Sequence, residues 1–237
     1  MNLLGIVGKM DSGKDTLAET LMAHNPRVAR IALADGVKNL ATALFDLNPE
    51  QTYGSQEAKA RIDERWEKSP RQLLQLFGTE VGRACHKDVW VRYLLREIEI
   101  RESASPTPET PVWVVPDVRF PNEVDAIRAA GGVVVRIFRP FQDYEDASHL
   151  SWVYRAFSRI YRVPLQECRR CHAVLPLNPE KTSASGWHRA DCVHRHPSEV
   201  GVEEISPDVI LDNVGTLEQF REKAVVFFDQ VLADRGW

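Results

Sequence analysis

The chain has 237 residues, 43% of them hydrophobic, and a formal charge of −4 from 30 Lys and Arg against 34 Asp and Glu. Its length suits one or two soluble domains, and its mild acidity weighs against a surface given over to nucleic acid. No run of about 20 apolar residues follows the short Leu3–Val7 segment and no cleavage-site pattern appears, so neither a membrane span nor a leader is expected, and a cytoplasmic location is.

In chain order, the apolar run ending at Gly8 predicts a strand, and Leu17, Leu21 and Met22 recur at helical spacing after it. A second short strand is expected over Arg27–Ala34, then a helix with Val37, Leu40, Ala41 and Leu44 on its inner side. Ser69 and Pro70 open a longer helix reaching Cys85, with Leu73, Leu74, Phe77 and Val81 inward and Arg71, Gln75 and Thr79 on the other side. A helix over about Asp88 to Ile100 is followed by a polar, proline-rich loop. Alternation then resumes: strand Val112–Val115 with Asp117 beyond its end, helix Asn122–Ala130, strand Val133–Phe138, and finally a strand and a helix capped by Thr216. This order predicts an α/β fold with a largely parallel sheet of about five strands and helices on both faces. Residues 142–200 break the alternation and read as an insertion in a core made of 1–141 and 201–237.

The first strand, its loop and the following helix contain the most specific chemistry. Gly8, Gly13 and Lys14 satisfy the glycine-rich phosphate-loop pattern, in which backbone N–H groups and a helix N-terminus surround phosphate oxygens and the lysine bridges the outer phosphates. Asp11, Ser12 and Thr16 complete the ATP-binding stretch. Asp15 stands where a magnesium-holding hydroxyl is usual. A carboxylate beside bare phosphate would repel it, so Asp15 reads as a ligand for magnesium or its water shell, or as an acceptor for a substrate hydroxyl.

"SGKDT" (Ser12–Thr16), "RQLLQLFGTEVGR" (Arg71–Arg83) with "KDVW" after it, "DVRFPNE" (Asp117–Glu123), "HPSE" (His196–Glu199) and "PDVILDNVGTLEQF" (Pro207–Phe220) occur in an order that resembles the bacteriophage deoxynucleoside monophosphate kinases, among the P-loop nucleoside monophosphate kinases. The resemblance implies transfer of the γ-phosphoryl group of ATP, with Mg²⁺, to a deoxynucleoside monophosphate, in the host cytoplasm if the chain is phage-encoded. An acceptor phosphate is already a nucleophile, so alignment and charge neutralisation suffice and no general base is required.

On that resemblance, Lys14, Arg119 and Arg139 are the catalytic cations, with Arg83 a lesser candidate. Asp15, Arg71, Gln75, Asp117 and Arg119 are the acceptor-binding residues, and Thr16 takes over the phosphate contact that the residue after the lysine gives up. Arg71 has the bidentate fork suited to a phosphate, and Asp117 falls at the carboxyl end of a strand, where open α/β sheets bind ligands. Ser198 could cap a helix as readily as meet a nucleotide, and His196 could instead ligate metal. Two other readings stay open: a P-loop kinase for another small phosphorylated acceptor, of the phosphomevalonate or dephospho-coenzyme-A kind, and a nucleotide-responsive module that binds nucleic acid or a partner protein.

The four cysteines are too few for a disulfide framework, and three of them crowd into the insertion. Cys168-x2-Cys171-x16-His188-x3-Cys192 is a spacing that closes a tetrahedral zinc site, with His172, His194 and His196 as alternative fourth ligands. The insertion falls where monophosphate kinases carry the lid over the donor, and Arg155 to His196 holds eight Lys or Arg against three Asp or Glu. A zinc-stapled lid is the expectation. Cys85, alone on a helix, is expected to be buried, and a homodimer is left open.

Overall fold

The computed structural model describes residues 1–9, 11–104, 109–139, 201–202 and 204–237, and the backbone of 144–146, 165–168 and 174–176. Five strands, β1 (Asn2–Val7), β2 (Val28–Arg30), β3 (Val112–Val118), β4 (Val133–Phe138) and β8 (Val209–Asp212), form one sheet in the order β2-β3-β1-β4-β8, with every neighbouring pair parallel. The expected five-stranded parallel sheet is therefore present. Near-continuous Val, Leu and Ile in β1, β3 and β4 are what a sheet covered on both faces requires.

Alternation along each strand divides the core in two. Leu3, Val7, Trp113, Val115 and Val134 face one layer, made of α2 (Leu33–Phe45), α7 (Val89–Ala104) and α8 (Pro121–Ala129). Leu4, Ile6, Val112, Val114 and Val135 face the other, made of α1 (Lys14–His24) and α9 (Leu217–Arg235). Phe220 and Phe228 of α9 are fully buried there, each contributing roughly 1.5–3 kcal/mol of apolar transfer energy. Thr216 caps α9 as expected, accepting from Gln219 N–H at 3.2 Å while the Gln219 side chain accepts from Thr216 N–H at 2.9 Å.

Several expectations are corrected. The second strand covers only Val28–Arg30, because Asp117 accepts from Leu33 and Ala34 N–H and starts α2 there. On α2 the inward residues are Leu33, Gly36, Val37 and Ala41, while Leu40 and Leu44 are 49% and 58% exposed. Met22 is likewise exposed. The helix opened by Ser69 is not uniform: α5 (Pro70–Gln75) runs into a π-helical stretch, Leu76–Gly82, before the short α6 (Arg83–Cys85), and Val81 faces solvent. Wider turns of that kind shift the helical register and often accompany functional sites. Strand β3 continues to Val118, so Asp117 lies within its end and not beyond it. Cys85 is exposed, since the helix ends beside it.

Two short helices were not expected: α3 (Pro49–Tyr53), capped by Asn48, and α4 (Gln56–Ala60), capped by Ser55. Within 142–200 the backbone forms a second, antiparallel sheet of β5 (Tyr144–Asp146), β6 (Leu165–Cys168) and β7 (Val174–Pro176), a region expected to lack regular alternation. Among the described residues no helix is long and apolar enough to cross a membrane.

Candidate active site

The phosphate loop leaves the carboxyl end of β1 at the centre of the sheet and enters α1. Gly13 has φ +104°, and a Cβ there would meet the Asn213 amide at 2.6 Å, so both conformation and crowding require glycine. At Gly8 a Cβ would lie 2.4 Å from the Ser12 hydroxyl. That hydroxyl is buried with no hydrogen-bond partner among the described residues. Lys14 donates to the carbonyls of Gly8 and Lys9 at 2.8 and 2.5 Å, which holds its ammonium at the loop. Asp11 takes a left-handed backbone, φ +59°, a conformation that Asp tolerates better than most residues.

Two cavities flank the loop and share Asp11, Lys14 and Asp15. The smaller, about 330 Å³, adds Gly13, Thr16, Arg139, Asn213, Gly215 and Leu217. Asn213 fixes its far wall: its side chain donates to Ser12 O at 2.8 Å, and its N–H donates to Phe138 O at 2.7 Å. The loop after β8 is thereby tied to both the phosphate loop and β4.

The larger cavity, about 390 Å³, lies between the loop, α2, α3, α4, the α5–α6 segment and the start of α8. Arg71, Gln75, Gly78 and Thr79 line one side, Lys38, Thr52, Gln56 and Lys59 another, and Arg119 and Phe120 a third. Arg71 is held by the Gln56 side chain. Trp90 closes the apolar part, its indole N–H donating to Gly78 O at 2.6 Å. That carbonyl belongs to the π-helical stretch.

The base of this cavity is a buried polar network. Glu123 accepts from the Arg119 and Phe120 N–H groups at 2.7 and 3.1 Å and pairs with Arg83 at 3.2 Å. Arg83 also donates to Asn122 and lies 3.7 Å over the Phe120 ring. Burial pushes the Glu123 carboxyl up to about 7 from its ordinary 4.5, with the Asp117 charge adding to this and the Arg119 N–H opposing it. Asp117 is also pushed upward, mainly by burial, while the N–H groups of Ala34 and Leu33 at 2.8 and 2.9 Å oppose the shift. Its carboxylate anchors the N-terminus of α2, a favourable place for negative charge.

The structure gathers the residues marked from sequence into this one region. Arg71, Gln75, Asp117 and Arg119 line the larger cavity, Arg139 and Thr16 the smaller, and Lys14 and Asp15 both. Asp15 is largely exposed, with Arg30 at 4.0 Å. Sequence reasoning missed Lys38, Thr52, Gln56, Lys59 and Asn213, and gave Trp90 and Glu123 no role. For Gln56 a signal existed, the Ser55 cap just before it; for Asn213 it was the Asn-x-Gly turn after a strand. The ligand sets for zinc, Cys168, Cys171, His188 and Cys192, together with His196 and Ser198, lie outside the residues whose side chains are described. Among the described residues no cluster of three or more His, Cys, Asp or Glu could hold a metal.

The sequence pattern of the family described as deoxynucleotide monophosphate kinase matches residues 47–151. A protein of Acanthamoeba polyphaga mimivirus named for that activity is 35% identical over 149 residues, 59% of this chain and 75% of the relative. The deoxynucleoside-5′-monophosphate kinase of Escherichia phage T5 is 44% identical over 61 residues, 25% of this chain and 22% of that protein. Among solved structures, a dephospho-CoA kinase from Campylobacter jejuni superposes with a TM-score of 0.48 at 16% identity, covering 97% of this chain and 96% of that one. The chain belongs to the deoxynucleotide monophosphate kinase family, ATP-dependent phosphotransferases.

Proposed function

We propose that the two cavities divide the substrates of this kinase between them: the triphosphate of ATP in the smaller, the deoxynucleoside monophosphate in the larger, with the γ-phosphoryl group passing over the shared phosphate loop. The observation that carries this is the sharing itself. Lys14, Asp11 and Asp15 border both cavities, so an acceptor oxygen on one side and a donor phosphate on the other meet at one lysine.

No proton need be removed from the acceptor phosphate, so the protein's contribution is placement and charge. Lys14 neutralises the transferring group. Arg119, whose N–H is held by Glu123, and Arg139, from the end of β4, add charge from the acceptor and donor sides. Arg71 clamps the acceptor phosphate, Gln75 reads the sugar or base, and Trp90 and Phe120 supply apolar surface for the nucleoside. Asp117 holds the turn of α2 that forms the wall. The hard oxygens of Asp11, Asp15 and Thr16 on the loop fit Mg²⁺ by donor chemistry, and the ion when bound would screen phosphate charge.

We further propose structural zinc at Cys168, Cys171, His188 and Cys192 within a lid formed by 142–200, supported by the ligand spacing and the basic character of the segment. Elemental analysis is expected to give about one zinc per chain; a fully folded, zinc-free protein would contradict it. The kinase reading is tested by a coupled assay for ADP with ATP and each of the four common deoxynucleoside monophosphates. At least one is expected to yield its diphosphate, and none doing so would overturn the reading.

A further inference from the structure

Two lysines line the larger cavity from separate elements, with Arg30 close to one of them, and the proposed roles leave all three unused. Lys38 comes from α2, Lys59 from α4 and Arg30 from the end of β2. Lys38 and Lys59 both line the cavity, and Lys59 and Arg30 act on Lys38 as like charges. Partial burial is the main influence disfavouring the charged form of Lys38, while the nearby carboxylates of Asp35 and Asp117 favour it. The Lys38 ammonium lies 4.2 Å over the Tyr53 ring. Among the described residues neither lysine side chain makes a hydrogen bond or an ion pair. Two ammonium groups held on one cavity wall without such partners are placed to meet an anion, whose opposite charge they complement.

Position identifies the anion. Lys38 is four residues beyond Ala34, whose N–H is fixed by Asp117, so it stands on an anchored helix turn. Arg30, its neighbour, reaches toward Asp15, which directly follows the loop lysine. This side of the cavity therefore faces the phosphate loop, whereas Trp90, Gly78 and Phe120 form the apolar side. An acceptor phosphate must lie at the loop end to be in line with the donor. Resting on the reading of this cavity as the acceptor site, we propose that Lys38 and Lys59 bind the 5′-phosphate of the deoxynucleoside monophosphate, closing with Arg71 a three-cation clamp carried by α2, α4 and α5. The clamp spans three elements that no contiguous motif connects.

The test separates the phosphate from the nucleoside. Lys59→Met and Lys38→Met are assayed with the best-used monophosphate, and the matching unphosphorylated deoxynucleoside is used as a competitive inhibitor. Each variant is expected to raise the KM for the monophosphate about 10- to 100-fold, as loss of a charge-assisted contact does, with the KM for ATP and the inhibition constant of the nucleoside within about twofold of wild type. Lys38→Arg is expected to restore most of the loss. An unchanged monophosphate KM in both variants, or nucleoside inhibition weakened in parallel with it, overturns the clamp. Should Lys38→Met fail to fold, Lys59→Met alone decides by the same criteria, since among the described residues the Lys59 side chain makes no hydrogen bond that the substitution would remove. A wild-type enzyme that turns over no monophosphate overturns the acceptor-site reading itself, and the clamp with it, which is distinguishable from active wild type with unaffected variants.

Discussion

The two cavities beside the phosphate loop are built in opposite ways. The smaller takes most of its wall from residues 11–16, with Arg139 after β4 and the Asn213–Leu217 segment completing it, the latter tied to the loop by the Asn213 amide. The larger takes its wall from α2, α3, α4, the α5–α6 segment, β3 and the start of α8. A triphosphate presents the same charged oxygens in every kinase, and backbone N–H groups from one glycine-rich turn can meet them. A particular monophosphate has a base, a sugar and a phosphate at fixed separations, which only side chains from several elements can surround. On the proposed division of substrates, the donor side is mostly local in sequence and the acceptor side is assembled by the fold.

The comparison yields graded expectations. Lys14 serves both cavities, so Lys14→Met is expected to lower kcat about a thousandfold or more in the coupled assay, the largest effect here; a loss of under tenfold would remove it from the shared position. Arg119→Met, removing charge from the acceptor side alone, is expected to cost about a hundredfold in kcat. Asp117→Asn keeps the shape but replaces one acceptor of the α2 N–H pair by a donor, and is expected to destabilise the fold by about 1–3 kcal/mol in urea unfolding. Equal stability to wild type would mean the anchor is dispensable.

Glu123 gives a pH-dependent expectation. Its folded pKa, about 7, stands above its ordinary 4.5, so between those values the folded chain holds a proton that the unfolded chain has released. The stability it contributes is full below about 4.5 and is lost as pH rises through about 7, by roughly 3 kcal/mol at most. Unfolding measured across that window is expected to show wild type weakening relative to Glu123→Gln as pH rises. Parallel curves would mean that Arg83 keeps the carboxylate charged throughout.

The same contrast explains what could be read from the residues. The sheet was legible because β1, β3 and β4 are continuous apolar runs, and the donor loop because its glycines and lysine are contiguous. The acceptor wall was legible only where it coincided with a recognised stretch, as at Arg71, Gln75, Asp117 and Arg119. Lys38 and Lys59 lie outside any recognised stretch, and nothing local reveals that Asp117 pulls the start of α2, which carries Lys38, against β3. The second strand was overextended for the same reason: a contact 84 residues away ends the strand and begins the helix. The π-helical turns likewise have no local marker, and they moved Val81 outward against its helical spacing.

Steady-state kinetics of Arg71→Met and Asn213→Ala, with ATP and the monophosphate varied against each other, test the division of substrates most directly. Arg71→Met is expected to raise the monophosphate KM about tenfold or more and leave that of ATP within about twofold, and Asn213→Ala to do the reverse. If both variants raised the same KM, the two cavities would not hold different substrates.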